Sequence, residues 1–344
     1  MPVNPIRCGF RALFLPPLVA LLGWSASATA ENLPTKVGIY PGSLVSFPAF
    51  VAQEKGFYQA NGLDVSLISI PDGAAMTAAV VSDSVQFGNN AYDNLFSTVS
   101  KGLPVKAVVG NTVALPYALI VRSDFPLPHK GEGYPKVMQD LKGANVGVIA
   151  RGVSTHYLTE KLLTKAGVKS SDVTYLAVGM PASARSAMKN KSIDAYLSLW
   201  PLPPIVEATK EGTVIVNLAR GEGPPDFKDL GYSLWWASDK TIASNPELVK
   251  RFVRATEQSY CWYRDPKNLD ELVGILKKKV PTTELSDEQY RTMIRDMLPA
   301  YGTAVTEKSV KVWQDLLTEQ KQVTKTFKFS DLVAPTAPKE SKCS

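Results

Sequence analysis

Two histidines, His129 and His156, and three cysteines, Cys8, Cys261 and Cys343, are all that this 344-residue chain offers of the side chains most used for metal ligation and nucleophilic attack. That scarcity argues against a His- or Cys-built metal site. There is no Gly-x-Ser-x-Gly elbow, no Walker loop, no His-Glu-x-x-His and no Cys-x-x-Cys. Ser154 and His156 stand two residues apart, and such positions face apart on a helix, so they do not form a local triad. Gly131 and Gly133 lack the third glycine of a dinucleotide fingerprint, because Lys136 takes its place. Carboxylates are plentiful, but no spacing pairs two of them. We therefore assign no catalytic residue, no metal and no cofactor from the sequence; an enzyme is unsupported rather than excluded.

Binding chemistry is better represented. Ser154 and Thr155 follow Arg151-Gly152 at a helix entrance, where outward backbone N–H groups and the helix dipole suit an anion. Ser154 is equally read as a plain N-cap. Gly73 and Ala74 open a second entrance with almost no side-chain bulk, which is equally a tight strand-to-helix turn. Both entrances follow strands, and open α/β sheets bind ligands at the carboxyl ends of their strands. Tyr40, Phe47, Tyr92, Trp200, Trp235 and Trp236 lie near strand ends or loops, where rings could wall a small ligand or pack the core. Trp235 and Trp236 are consecutive in a β-rich run, so they point to opposite faces and at least one is core. Arg122 and Arg185, with Arg151, are candidate counter-charges for a carboxylate or sulfonate. Ser43 and Asn90 complete the candidate ligand set.

The elements that must hold these residues alternate. Val37–Tyr40, Val65–Ile70, Val85–Gly88, Val105–Gly110 and Ala118–Val121 read as strands, with helices from Phe47, Ala74 and Tyr92 between them. The rhythm restarts with strands at Val146–Ile149, Val173–Leu176, Ile193–Leu199 and Val214–Leu218, and helices from Ser154 and Ser183. After Tyr232–Ala237 a helical tail follows, entered at Asn245-Pro246-Glu247. The expected fold is α/β, with mostly parallel sheets flanked by helices. The last ten residues, rich in Pro, Lys and Ser, read as a mobile tail.

Composition agrees with a folded, exported chain. Hydrophobic residues make up 45% and charged residues 20%, an ordinary globular balance. The formal charge of +6 is scattered, which gives no nucleic-acid footprint. Residues 1–30 carry Arg7 and Arg11 and no acid, then an apolar run, Leu13–Trp24, then Ala28-Thr29-Ala30. The run is about 12 residues with Pro16-Pro17 inside it, whereas a membrane span takes roughly 20. It reads as a secretory signal cleaved after Ala30, which implies the periplasm. Cys8 precedes the run, so lipid-anchored maturation there is not expected. Cys261 and Cys343 are left as either one disulfide or a buried thiol and a free tail thiol; spacing alone does not choose.

Several stretches together resemble a known family. Lys55-Gly56-Phe57-Tyr58 with Gly62-Leu63-Asp64-Val65 is the most specific. Val85-Gln86-Phe87-Gly88, Gly152-Val153-Ser154-Thr155-His156-Tyr157, and Ala184-Arg185-Ser186-Ala187 with Ile193-Asp194-Ala195 add to it. The arrangement resembles the periplasmic solute-binding proteins of the nitrate, sulfonate, taurine and thiamine-pyrimidine-precursor import group. That resemblance implies a type II periplasmic-binding-protein fold. It has two α/β lobes around a hinge, a ligand between them, and delivery to an ABC permease with its ATPase. It places lobe one at residues 31–121 and 232–334, lobe two at 122–231 and the free tail at 335–344, in a monomer.

Two departures shape the ligand expectation. Trp200-Pro201-Leu202-Pro203 lacks the acid that often follows the tryptophan in the resembling proteins, which argues against a cationic or pyrimidine-like ligand. The cysteine-rich motif of the pyrimidine-synthesising enzymes is absent. The aromatics and helix entrances then point to an organic anion, a sulfonate or an aromatic carboxylate. The competing readings are an exported enzyme using His156 or a carboxylate as base, and a ligand-reporting subunit of a membrane sensor.

Overall fold

The structure is a computed structural model that describes residues 1–5, 9 and 32–343. The chain divides into two units, Met1–Glu31 and Asn32–Ser344. The signal segment expected at 1–30, with its cleavage after Ala30, falls for the most part outside the described residues. Among the described residues no helix is long and apolar enough to cross a membrane.

Asn32–Ser344 contains two five-stranded sheets. Strands β1 (Leu33–Ile39), β2 (Leu63–Ser69), β3 (Phe87–Ala91) and β4 (Val105–Thr112) come first. The chain then crosses to β5 (Tyr117–Arg122), β6 (Asn145–Val148), β7 (Thr174–Ala177), β8 (Ala195–Leu199) and β9 (Gly212–Asn217), and returns as β10 (Ser233–Ser238). The orders are β2-β1-β3-β10-β4 and β7-β6-β8-β5-β9. Strand β1 runs parallel to β2 and β3, and β6 parallel to β7 and β8. The strand that follows each crossing, β10 or β5, runs antiparallel to both of its neighbours. The central strands are covered on both faces, so Tyr117–Val121 and Ser233–Ser238 are wholly buried. Edge strand β2 instead exposes Asp64 and Ser66 between buried Leu63 and Val65.

Helices flank both sheets: α1 (Phe47–Glu54), α2 (Phe57–Ala60), α3 (Gly73–Val81), α4 (Tyr92–Ser100), α5 (Ser154–Lys165), α6 (Pro181–Lys189) and α7 (Leu202–Ala208). After β10 come α8 (Asp239–Ser244), α9 (Pro246–Arg264), α10 (Leu269–Lys279), α11 (Asp287–Met297), α12 (Glu307–Glu319) and α13 (Phe329–Leu332). Helix α9 buries Leu248, Val249, Phe252, Val253, Thr256, Ser259 and Tyr263, the three-to-four spacing of one helical face. That face stacks Phe252 on Phe87 at 3.8 Å between ring centres and sets it edge-on to Trp235. Helix α11 starts on a capping box in which Ser286 and Gln289 satisfy each other's backbone amides.

Two boundaries differ from expectation. The Ala118–Val121 strand pairs with β8 and β9, so the first crossing lies at 113–116 and not at 121–122. The residues after 334 are not a free tail. Pro338 accepts the Val305 N–H at 2.7 Å, and Ser341 Oγ accepts the N–H groups of Thr303 and Ala304. Cys343 is disulfide-bonded to Cys261, which resolves the alternative left open by spacing.

Candidate functional site

Strand direction decides which residues share a place. The carboxyl ends of β1 and β3 carry Tyr40 and the entrance of α4; the carboxyl ends of β6 and β8 carry the entrance of α5 and Trp200. Because β5 is antiparallel, its first residue, Tyr117, lies beside Leu199 at the end of β8. The return crossing passes the same place: Tyr232 donates its N–H to Thr112 O, and its own carbonyl accepts the N–H of Tyr92. These ends face each other across the line between the lobes.

The lobes meet there through one specific bond. Asp93, in the first turn of α4, accepts the backbone N–H of Ser154, the first residue of α5, on Oδ2 at 2.9 Å. A carboxylate at two helix entrances is favourably placed in both dipoles. Asp93 is only 8% exposed, and its Oδ1 has no hydrogen-bond partner among the described residues. Burial pushes its carboxyl above the usual carboxylate range. The Ser154 amide and hydroxyl and the amides of Asn94 and Asp93 oppose that shift.

Phenols surround this carboxylate. Tyr117 and Tyr232 meet edge to face at 5.1 Å between ring centres. The Tyr117 hydroxyl is buried with no partner of hydrogen-bonding geometry. The Tyr157 hydroxyl donates to Gly152 O, and Tyr40 donates to Asn90 Oδ1 at 3.3 Å. Burial, with the charge of Asp93 adding, pushes Tyr157 and Tyr232 up to about 12. Tyr40 and Tyr117 rise well above the ordinary phenol value, again chiefly by burial. All four are neutral hydroxyl groups at physiological pH. A cavity of about 220 Å³ adjoins the site, lined by Asp93, Gly152, Val153 and Tyr157 among others. A larger crevice of about 490 Å³ lies between α7 and β9 on one side and α11 on the other, with Trp200 and Arg220 in its wall. The smaller cavity holds the buried polar groups, and the larger is a groove along the flank of the lobes.

The residues expected from the sequence divide sharply. Tyr40, Gly73, Asn90 and Ser154 are at the junction. Asn90 is a fully bonded clamp: its Nδ2 donates to Gly73 O and Thr77 Oγ1, and its Oδ1 accepts from Tyr40, Asn94 and the Ala91 amide. Gly73 is required by close approach, since a Cβ there would come within 2.8 Å of Asn94 Nδ2. Ala74 is exposed on the same turn. Thr155 is buried and holds the end of β6 by accepting the Ile149 N–H. Ser43 caps the short turn Leu44–Ser46. Trp200 is buried at the lobe boundary with its Nε1 unpaired among the described residues.

Five others are placed elsewhere. Phe47 packs on Tyr263 and Tyr301, Tyr92 stacks on Trp313, and Trp235 packs on Phe252 while its Nε1 donates to Asn111; all three are core. Trp236 is core on the opposite face, so the pair is buried on both sides of the sheet. Arg122 ends the antiparallel β5 and therefore sits at the far end of its sheet, bonded to Asp194 and Asp124. Arg185 is taken by both oxygens of Glu211, at 2.7 and 2.9 Å, and by Glu284 at 2.7 Å. Sequence reasoning missed Asp93, Tyr117, Tyr157 and Tyr232. Asp93 did carry a signal, an acid one residue into a helix that opens directly after a strand. His156 is no free base, because its Nδ1 accepts the Gly152 N–H at 3.3 Å and burial lowers its pKa.

Comparisons with known proteins bear on this arrangement. The family model described as NMT1/THI5 like matches residues 44–268. A Brucella abortus protein named as a binding protein is 29% identical over 250 residues, covering 72% of this chain and 73% of that one. A Saccharomyces cerevisiae 4-amino-5-hydroxymethyl-2-methylpyrimidine phosphate synthase is 25% identical over 226 residues, covering 62% and 61%. Among solved structures, the periplasmic aliphatic sulphonate binding protein SsuA of Escherichia coli superposes with a TM-score of 0.69 at 18% identity, covering 88% of this chain and 98% of that one. That likeness shows that the fold is the two-lobed periplasmic-binding-protein fold. With the model match spanning well over half of its length, the chain belongs to the NMT1/THI5-like family.

Proposed function

We propose that the protein is an exported solute-binding subunit of an ABC importer. It holds a small organic molecule between its lobes and presents the closed form to a membrane permease driven by a separate ATPase. The observation that carries this reading is the Asp93–Ser154 bond. It joins two helix entrances from different lobes at the strand ends where α/β sheets bind ligands, so the site exists only when the lobes meet. The name of the Brucella relative and the transport role printed for the sulphonate-binding neighbour support it. The synthase relative keeps the enzyme reading open as a second one, though His156 has its acceptor nitrogen occupied.

The test is to purify the chain from its own host's periplasm, denature it, and identify what it releases by mass spectrometry. Small-angle scattering would follow the lobes as that compound is added back. A single compound that returns unchanged and shrinks the radius of gyration is expected. A compound recovered chemically altered would instead establish the enzyme.

A further inference from the structure

The geometry points to Asp93 as the residue that selects the solute, and to a flat nitrogenous solute, neutral or cationic, that gives Asp93 an N–H donor. The inference rests on the solute-binding reading above and names the chemistry of its ligand. It replaces the organic anion that the helix entrances and arginines suggested from the sequence.

Three observations converge. First, both helix entrances that could hold an anion already carry the chain's own carboxylates. Asp93 accepts the first amide of α5, and Asp72 Oδ1 accepts the Ala75 amide of α3 at 2.8 Å. Asp72 and Asp93 both act on Tyr40, so they border one site. An anion there would meet two like charges in a poorly solvated space. Second, the expected counter-charges are elsewhere. Arg122 is at the far end of its sheet, Arg185 is held by Glu211 and Glu284, and Arg151 donates to the carbonyl of Tyr175. Third, the unused hydrogen-bonding capacity is mainly that of an acceptor. Asp93 Oδ1 is buried and unpartnered among the described residues, and Asp93 lines the 220 Å³ cavity. A buried acceptor without a donor is costly, and a donor on the solute relieves that cost. The Tyr117 hydroxyl is the second unpartnered group, and the Tyr117 and Tyr232 rings supply apolar faces for a flat compound.

The test holds the ring constant and changes only the head group. Benzamidine, benzamide, benzoate and benzenesulfonate are added at millimolar concentration to the full chain. Binding is read by calorimetry and by thermal shift. We expect benzamidine or benzamide to bind and the two anions not to. Asp93→Asn should weaken the binding of the donor probe tenfold or more, because a charge-assisted hydrogen bond becomes a neutral one. Tyr117→Phe, which keeps the ring, should weaken it several-fold and serves if Asp93→Asn does not fold. An anion that binds the unaltered chain, or donor binding indifferent to both variants, overturns the inference while leaving the solute-binding reading intact. If no probe binds, the compound released from the chain purified from its host decides. A solute with an N–H group facing Asp93 supports the inference, a solute without one overturns it, and no released compound at all counts against both readings.

Discussion

Asp93 carries opposite consequences for stability and for recognition. Its carboxyl pKa is raised in the folded chain, chiefly by burial. A carboxyl shifted upward costs folding free energy while it is charged, and the cost disappears as acid protonates it. Asp93→Asn should therefore raise the melting temperature at pH 7, by about 1–3 kcal/mol of stability, the cost of an unsatisfied buried acceptor. The gain over the unaltered chain should shrink to nothing below about pH 4, the unfolded carboxyl value. The comparison must be made at each pH. Glu211, for example, is lowered to about 2 by its Arg185 bonds, so its contribution is present above the unfolded value and is lost as pH falls toward 2. A gain that stays constant from pH 7 to pH 4 would show that Asp93 is not titrating from a raised value. At this scale the sequence was legible only in part. Ser154, Tyr40 and Asn90 follow from being at strand ends. Arg122 was misplaced because a strand end is a cleft end only when the strand's direction is known, and β5 runs the other way.

Elements were more legible than residues, because periodicity and caps act locally while strand partnership does not. The helix expected from Leu269 to Lys279 is α10 with the same ends, and the β-rich run at Val105 is β4. What local sequence could not show was that Ala118–Val121 leaves the first sheet, since an apolar central strand looks the same in either. Strand β4 also makes a contact that no pattern announces. At Gly110 an added Cβ would stand 2.5 Å from Ala304 O and 2.9 Å from Gly302 O, both backbone atoms of the segment that the tail pins down. Those atoms cannot swing aside as a side-chain tip can. Gly110→Ala should thus lower stability by about 3 kcal/mol, the upper range for overpacking. Gly131, with nothing within 4 Å and no positive φ, is the matched control, and Gly131→Ala should leave the melting temperature within about 1 °C. Equal effects at the two positions would mean that the 302–304 segment yields, and that its anchoring to Ser341 is weak.

The whole molecule is a balance between two lobes, and its alternation and return were visible in the sequence while its fastenings were not. Composition read 335–344 as mobile because Pro, Lys and Ser resist burial, yet one disulfide and the Ser341 bonds tie that stretch down through partners far away in the chain. The lobes are fastened by similar long-range pairs. Arg220 of lobe two bonds Asp296 on α11, and Arg185 bonds Glu284 just before α11. Helix α11 buries Met293, Ile294 and Met297 in the core of lobe one, so separating the lobes breaks both pairs. Arg220 and Glu284 are partly exposed, and such pairs contribute below about 1 kcal/mol each and weaken with salt. That is small for folding but not for a two-state opening, where it changes the closed population directly. Asp296→Asn with Glu284→Gln should leave the melting temperature nearly unchanged, enlarge the ligand-free radius of gyration, and weaken any cleft solute about two- to fivefold. The loss should be smaller in high salt, where the unaltered chain has already lost part of the attraction. The two variants leave every group around Asp93 in place, so a loss of affinity that tracks the radius of gyration isolates closure from contact with the solute. An unchanged radius with unchanged affinity would mean that the Asp93–Ser154 bond alone holds the lobes together.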